Sequence, residues 1–339
     1  MIDLWYVLVS LMFAAYVVLD GYDLGAGILH LAVAKTPEER KAVVGSVAPY
    51  WDGNEVFLVA GGATLYLAFP RLFPTFFSGF YLPLMMVLWL LALRALGIEM
   101  RHKLDHPLWN TLWDGGFFLA SALLVFVFGA ALGNVVRGVD VKEDGSFFAP
   151  LWTDLTVGEH VGIIDWYTVL VGITALAVTA HHGALWLAWK APLVAERAKT
   201  FAARLHPVAV GLAAIASLVT FKVQPHIVPE LTAHPWTVVF PLAATAGAVG
   251  SRLFARRDQA ARAFASSCIL VAGLFGCAAS GIHPYGLIAR DPARSMLAES
   301  LAADPYAMKV ALMWWLPGMA LVTAYFVFVH RRLAREESR

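Results

Sequence analysis

Apolar residues run along this chain in stretches of about 20 or more, the length a helix needs to cross a bilayer, and short polar segments separate them. The pattern predicts about nine spanning helices, at residues 4–33, 47–69, 75–98, 111–136, 161–189, 201–221, 237–254, 261–282 and 306–329. The first stretch is long, and the seventh is short and rich in Ala and Gly. Two polar segments, 137–160 and 290–304, contain no apolar run and are expected to lie outside the membrane. The chain is thus expected to be an all-α polytopic membrane protein.

Nine crossings sort the basic residues unevenly. One side collects Lys35, Arg40, Lys41, Arg101, Lys103, Lys190, Arg197, Lys199, Arg204, Arg252, Arg256, Arg257, Arg262, Arg331, Arg332, Arg335 and Arg339. The other holds Arg71, Arg137, Lys142, Lys222, Arg290, Arg294 and Lys309. Short loops rich in Lys and Arg stay in the cytoplasm, so the C-terminus is expected inside and the N-terminus outside. A missed span would scramble this alternation, so the span count and the charge bias support each other.

Composition agrees. The sequence is 60% hydrophobic and only 14% charged, against about 25% charged for a soluble domain. A net charge of +1 argues against nucleic acid as a main partner. Met1-Ile2-Asp3 is not the basic start of a signal peptide, so the first apolar run is expected to be retained as a helix. Cys268 and Cys277 would lie on opposite faces of one helix, about 13 Å apart along its axis. They cannot bridge each other and are expected to be buried apolar side chains. The sequence has no P-loop, no Gly-rich phosphate motif and no Cys-His metal cluster.

The informative residues are acids inside apolar runs. Asp20-Gly21-Tyr22-Asp23-Leu24-Gly25 and Ala48-Pro49-Tyr50-Trp51-Asp52-Gly53-Asn54-Glu55 each place two acids three residues apart, on one helical face. Four unpaired, dry carboxylates would cost on the order of 10 kcal/mol. They must therefore be protonated, paired, bound to a cation or hydrated, and each state belongs to proton or ion handling. The alternatives are structural: Asp20 capping a glycine-permitted break with Asp23 reaching the interface, and Asp52 as a cap or first-turn acid on the helix dipole. Arg94, about a turn inside the third span, can snorkel to the headgroups or neutralise Asp52 or Asp114. Glu99, with Lys103 four residues on, reads as a surface ion pair. Asp114 and Asp165 read as N-terminal caps or first-turn acids of spans four and five. With the expected orientation, Asp20, Asp23, Asp52, Glu55, Arg94 and Glu99 converge on the cytoplasmic half.

Among the histidines, His181 and His182 are the best internal candidates for a haem ligand, although hydrogen bonding across helices is the preferred reading. His30, His226 and His283 lie near span ends and read as interfacial. Many of the 12 tryptophans, among them Trp5, Trp109, Trp113, Trp189, Trp236, Trp314 and Trp315, lie near span ends as an aromatic belt.

The two acidic motifs together resemble the start of subunit II of cytochrome bd-type quinol oxidases. The likeness continues through Gly79-Phe80-Tyr81-Leu82-Pro83, the stretch from Arg94 to Arg101, Trp113-Asp114 and the stretch from Gly129 to Asn134. It is close over roughly the first 140 residues. Beyond them it is looser, resting on the overall plan and on His283-Pro284-Tyr285. The resemblance implies two four-helix bundles and one peripheral helix. Here these would be residues 1–136, an extracytoplasmic loop at 137–160, residues 161–284, and a loop with the C-terminal helix at 285–339. It also implies a partner, subunit I, that carries haem b and haem d (or a b-type variant) and binds the quinol. This chain would bind no haem, and small single-helix accessory subunits are possible. Asp52 matches the aspartate of the family's tryptophan–aspartate–glycine–asparagine motif, which is thought to contribute to a proton route toward the oxygen-reducing haem. The expected function is that of the haem-free subunit of a quinol:oxygen oxidoreductase in a bacterial or archaeal cytoplasmic membrane. The expected proton route is Asp52, Asp20, Asp23, Glu55 and Glu99, with Arg94 as charge partner. Two other readings stand beside it. One is a proton- or sodium-coupled secondary transporter, against which counts the lack of an acidic counterpart in the second half. The other is a scaffold whose acids are caps.

Overall fold

The computed structural model describes residues 1–158 and 160–336. It is nearly all helical: α1 (Ile2–Val33), α2 (Pro37–Val47), α3 (Trp51–Ala68), α4 (Leu72–Gly79), α5 (Tyr81–Met100), α6 (Pro107–Arg137), α7 (Trp166–Lys190), α8 (Ala195–Val223), α9 (Ile227–Ala233), α10 (Val239–Arg256), α11 (Ala260–Ile282), α12 (Ala298–Leu301) and α13 (Pro305–Glu336). Among the described residues, eight helices are long and apolar enough to span a membrane: α1, α5, α6, α7, α8, α10, α11 and α13. The remaining expected span is α3. It has only 18 residues, so Asp52, Asn54 and Glu55 at its start count against its whole length. The nine expected spans thus each have a helix. Arg339, assigned to the inner side by sequence, lies outside the described residues.

The boundaries have local chemical causes. Thr36 caps α2: its hydroxyl accepts from the Glu39 N–H, and the Glu39 carboxylate accepts from the Thr36 N–H. Pro37 occupies the first turn, where no intrahelical donor is needed. This capping box, Thr36-Pro37-Glu38-Glu39, is legible in sequence, yet residues 37–47 were expected only as a connection and the start of span two. The apolar side of α2, Val43, Val44 and Val47, is fully buried.

The third expected span is broken into α4 and α5. Pro83 has no N–H to return to the Gly79 carbonyl four residues earlier. That carbonyl instead accepts from the Ala149 N–H at 3.0 Å. The fifth span starts at Trp166 rather than at 161, because Asp165 caps it, accepting from the N–H groups of Tyr167 at 2.8 Å and Thr168 at 2.9 Å. The cap-or-first-turn reading of Asp165 thus resolves as an N-cap. It also pairs with buried Arg137.

The polar segments form a docked layer. Strands β1 (Tyr285–Leu287) and β2 (Met296–Leu297) pair antiparallel. Val139 donates to the Ile288 carbonyl at 3.0 Å, and Arg290 donates back to the Val139 carbonyl at 2.9 Å. Phe147, Ala149, Ile163 and Leu287 pack with Trp5, Val9, Ala68 and Phe69 into one apolar core. The extramembrane segments thus close one end of the helical body.

Helix α1 is the hub. It packs against α3, α6, α7 and α11, so it joins both halves of the chain. Every residue from Asp20 to Gly27 is buried, as expected of a helix surrounded on all sides. The approach of α1 to α7 is closest at Gly25 and Gly183, where a Cβ on either would run into the other's backbone. Helix α1 passes unbroken through both glycines of the Asp20–Gly25 motif, so glycine here serves close packing and not a break.

Gly183→Val should force α1 and α7 apart and cost about 1–3 kcal/mol or more, as overpacking does. The check is the thermal midpoint of the purified protein. Gly211→Ala, where an added methyl meets nothing within 4 Å, should leave that midpoint in place.

Candidate functional site

The site is assembled where α1, α3 and α5 meet. Arg94 comes from the fourth turn of α5, and its guanidinium is fully buried. Its Nη1 donates to Asp20 Oδ2 at 2.6 Å. Its Nη2 lies 3.5 Å from Glu55 Oε1, an ion-pair separation without hydrogen-bond geometry. Asp20 is fully buried, and the Glu55 side chain is 23% exposed. One turn along α1, Asp23 Oδ2 accepts from the Asn54 amide at 2.7 Å. The same amide nitrogen lies 2.8 Å from the Tyr22 hydroxyl. Helix periodicity places these groups. Asp20 and Asp23 share a face of α1, and Asn54 and Glu55 are adjacent near the start of α3. Arg94 also lies 5.9 Å from the Trp51 ring centroid.

The guanidinium therefore meets two carboxyl groups, and a third, that of Asp23, lies one turn along α1 from Asp20. Asp20 Oδ1, Asp23 Oδ1 and Arg94 Nε are buried without a protein hydrogen-bond partner. Such atoms cost about 1–3 kcal/mol each when dry.

Arg94 does not pair with Asp52 or Asp114. Asp52 and Glu99 are exposed, on α3 and in the last turn of α5. The structure brings Asp20, Asp23, Glu55 and Arg94 together and leaves Asp52 and Glu99 on the outer surface of the chain, at the same end.

A second cluster was not foreseen. Asp114 sits two turns into α6, and the N-cap of that helix is His106, so Asp114 is not a first-turn acid. It accepts from Arg101 Nε at 2.5 Å, lies 2.8 Å from His30 Nε2, and lies 3.4 Å from Arg40 Nη1. His30 is fully buried and packs edge-on to Phe117, so it is not interfacial. The available signal was spacing: Asp20, Asp23, Gly27 and His30 follow one face of α1.

His181 and His182 do not fit a haem. Each has both ring nitrogens engaged. His182 contacts Ser267 Oγ at 2.6 Å and the Val18 carbonyl at 3.0 Å. His181 contacts the Ala202 carbonyl at 3.2 Å and Ser251 Oγ at 3.5 Å. His182 also stacks on Phe264. Among the described residues no three His, Cys, Asp or Glu side chains group as metal ligands. Cys268 and Cys277 are free and half-buried.

The helical layout and the buried carboxyl–arginine cluster define a multi-pass membrane protein with ionisable groups in its interior. The chain belongs to the cytochrome bd terminal oxidase subunit II family, whose model matches residues 1–333. It is 26% identical over 357 aligned positions to a protein of Haemophilus influenzae described as "Probable cytochrome oxidase subunit 2", covering 97% of this chain and 93% of that protein. It is 32% identical to the cytochrome bd-I ubiquinol oxidase subunit 2 of Escherichia coli K12, over 54% of this chain and 47% of that one. It is also 32% identical to the cytochrome bd ubiquinol oxidase subunit 2 of Bacillus subtilis, over 55% and 52%. A chain in the structure of the bd oxidase from Geobacillus thermodenitrificans superposes with a TM-score of 0.77 over 98% of both chains, at 15% identity, which speaks to fold.

Removing one member of the buried pair leaves an uncompensated charge. Arg94→Gln should destabilise the protein by about 3–5 kcal/mol. Adding Asp20→Asn should recover a large part of that loss. A double-mutant cycle on thermal or denaturant midpoints measures it.

Proposed function

We propose that this chain is the haem-free subunit of a bd-type quinol:oxygen oxidoreductase. In this reading it supports a haem-bearing subunit I and carries protons toward the site where oxygen becomes water. The relatives described above as ubiquinol oxidase subunits supply the reaction class. The observation that carries the proton role is the group of three carboxyls around the single guanidinium of Arg94. Arg94 can balance one carboxylate. Holding two more negative charges in the interior would cost several kcal/mol per ion, so this group holds exchangeable protons.

The haems belong to the partner in this reading, and the engaged ring nitrogens of His181 and His182 support that placement. The division into two four-helix groups flanked by a peripheral helix is part of the same proposal, as is an inner-membrane location with the N-terminus outside. The basic residues of the α2, α5-end and α10-end regions support the orientation.

The route begins at the cytoplasmic end. Asp52 and Glu99 stand exposed there and gather protons. Glu55, one turn past Asp52 on the same face of α3, receives them at its carboxylate. Asp20 and Asp23 hold the proton deeper in the chain, while Arg94 orients Asp20 and limits the charge that builds up. Asn54 fixes the Asp23 carboxyl through one oxygen and leaves the other free to take a proton. The transporter alternative would want broken helices around the acids, whereas α1 is continuous through them.

With the complex purified from the membrane, Asp23→Asn and Asp52→Asn should each lower quinol-dependent oxygen uptake by at least about tenfold, with the haem spectrum and subunit stoichiometry unchanged. Full uptake in both variants would remove the proton role and leave a scaffold.

A further inference from the structure

At the same end of the molecule, but in the second half, a cavity of about 310 Å³ opens between α7, α8, α10 and α11. Its size falls in the range of small-ligand sites, about 300–1,000 Å³. The oxidase reading makes no use of it. The walls are mainly alanine, including Ala202, Ala203, Ala255 and Ala263, and the floor is His181, His206 and Ser251. Arg252, Arg256 and Lys199 stand around it. Helices α8 and α10 meet over few residues, and Ala203, Ala255 and Arg256 are exposed between them.

A proline fixes this geometry. Pro207 lies inside α8 and cannot donate to the Ala203 carbonyl one turn earlier. That carbonyl accepts instead from Arg252 Nη1 at 2.9 Å, across the gap between the helices. The side chain of Arg252 is thereby held at the cavity. Lys199 is already balanced by Glu196 at 2.8 Å and Asp258 at 2.7 Å. The charge left for a ligand is that of Arg252 and Arg256.

We infer that this cleft holds one anionic phospholipid of the cytoplasmic leaflet, with its phosphate on Arg252 and Arg256 and part of an acyl chain between α8 and α10. Basic pockets between spanning helices on the cytoplasmic side suit such headgroups. The alanine walls suit hydrocarbon, whereas a free anion would leave them unused. The leaflet follows from the orientation proposed above. Binding itself does not depend on the proton route or on that orientation, so the two readings fail separately.

The test is native mass spectrometry of the intact complex in mild detergent, with phosphatidylglycerol or phosphatidylcholine added. Phosphatidylglycerol should be retained on this subunit in preference to phosphatidylcholine. Arg256→Gln, at an exposed residue, and Arg252→Gln/Arg256→Gln should weaken that retention by at least about fivefold. Ala255→Phe fills the cleft with both arginines intact and should weaken it as much. Oxygen uptake and the haem spectrum report that each variant is assembled. Equal retention of both lipids, or unchanged retention in the arginine variants, overturns the proposal. Loss with the arginine variants but not with Ala255→Phe also overturns it, since the rim would then bind a phosphate without a chain in the cleft.

Discussion

The buried contact between Arg94 and Asp20 sets the terms for the rest of the molecule. A guanidinium and a carboxylate inside a membrane protein survive only when they meet each other and are shielded from hydrocarbon. Helix α1 carries the acid, so α1 has to be enclosed. Its burial from Asp20 to Gly27, the glycine contact with α7, and the packing of α3, α6 and α11 around it all meet that requirement. The carboxyls beyond the first, Glu55 and Asp23, make this a cluster rather than a simple pair. The same constraint recurs one layer closer to the end of the molecule that carries Arg40 and Arg101. There Asp114 is shared by Arg101, Arg40 and His30, and the connection carrying Arg40 is tied to α5 and α6.

Backbone accounting explains much of the remaining shape. In a nearly all-helical membrane protein each carbonyl needs a donor, and a proline removes one. At Pro83 the freed Gly79 carbonyl recruits Ala149, which docks the 138–165 segment on the α4–α5 junction. At Pro207 the freed Ala203 carbonyl recruits Arg252, which bridges α8 and α10. Two prolines thus each become a tertiary contact. The outer layer works similarly, with the 138–141 and 288–290 segments exchanging backbone hydrogen bonds and sealing the apolar core around Trp5 and Leu287.

How much was legible depended on whether the signal was local. The spans could be read because apolar length is a local property, and each expected span has its helix with ends displaced by at most seven residues. The exceptions, α2, the α4–α5 break and the Asp165 cap, also had local signals in Thr36-Pro37-Glu38-Glu39, Pro83 and Asp165-Trp166-Tyr167-Thr168, but hydropathy outweighed them. The acidic site was half legible. Spacing put Asp20 and Asp23 on one face, but not their partners. Arg94 had several possible counterions, and only the rotation of α5 against α1 and α3 selects Asp20 and Glu55. That same rotation turns Asp52 and Glu99 outward.

The sequence by itself determined that the chain is a helical membrane protein with costly charges in its first three spans, because apolar length and the presence of acids do not depend on folding. It also carried the family likeness, in motifs of fixed order. The tertiary structure decided which charges are neutralised, that His30 and Asp114 form a second cluster, and that the ring nitrogens of His181 and His182 are already occupied. These are matters of a few ångströms between residues as far apart as Val18 and His182. No local pattern encodes the distance between two helices or the angle at which each is turned.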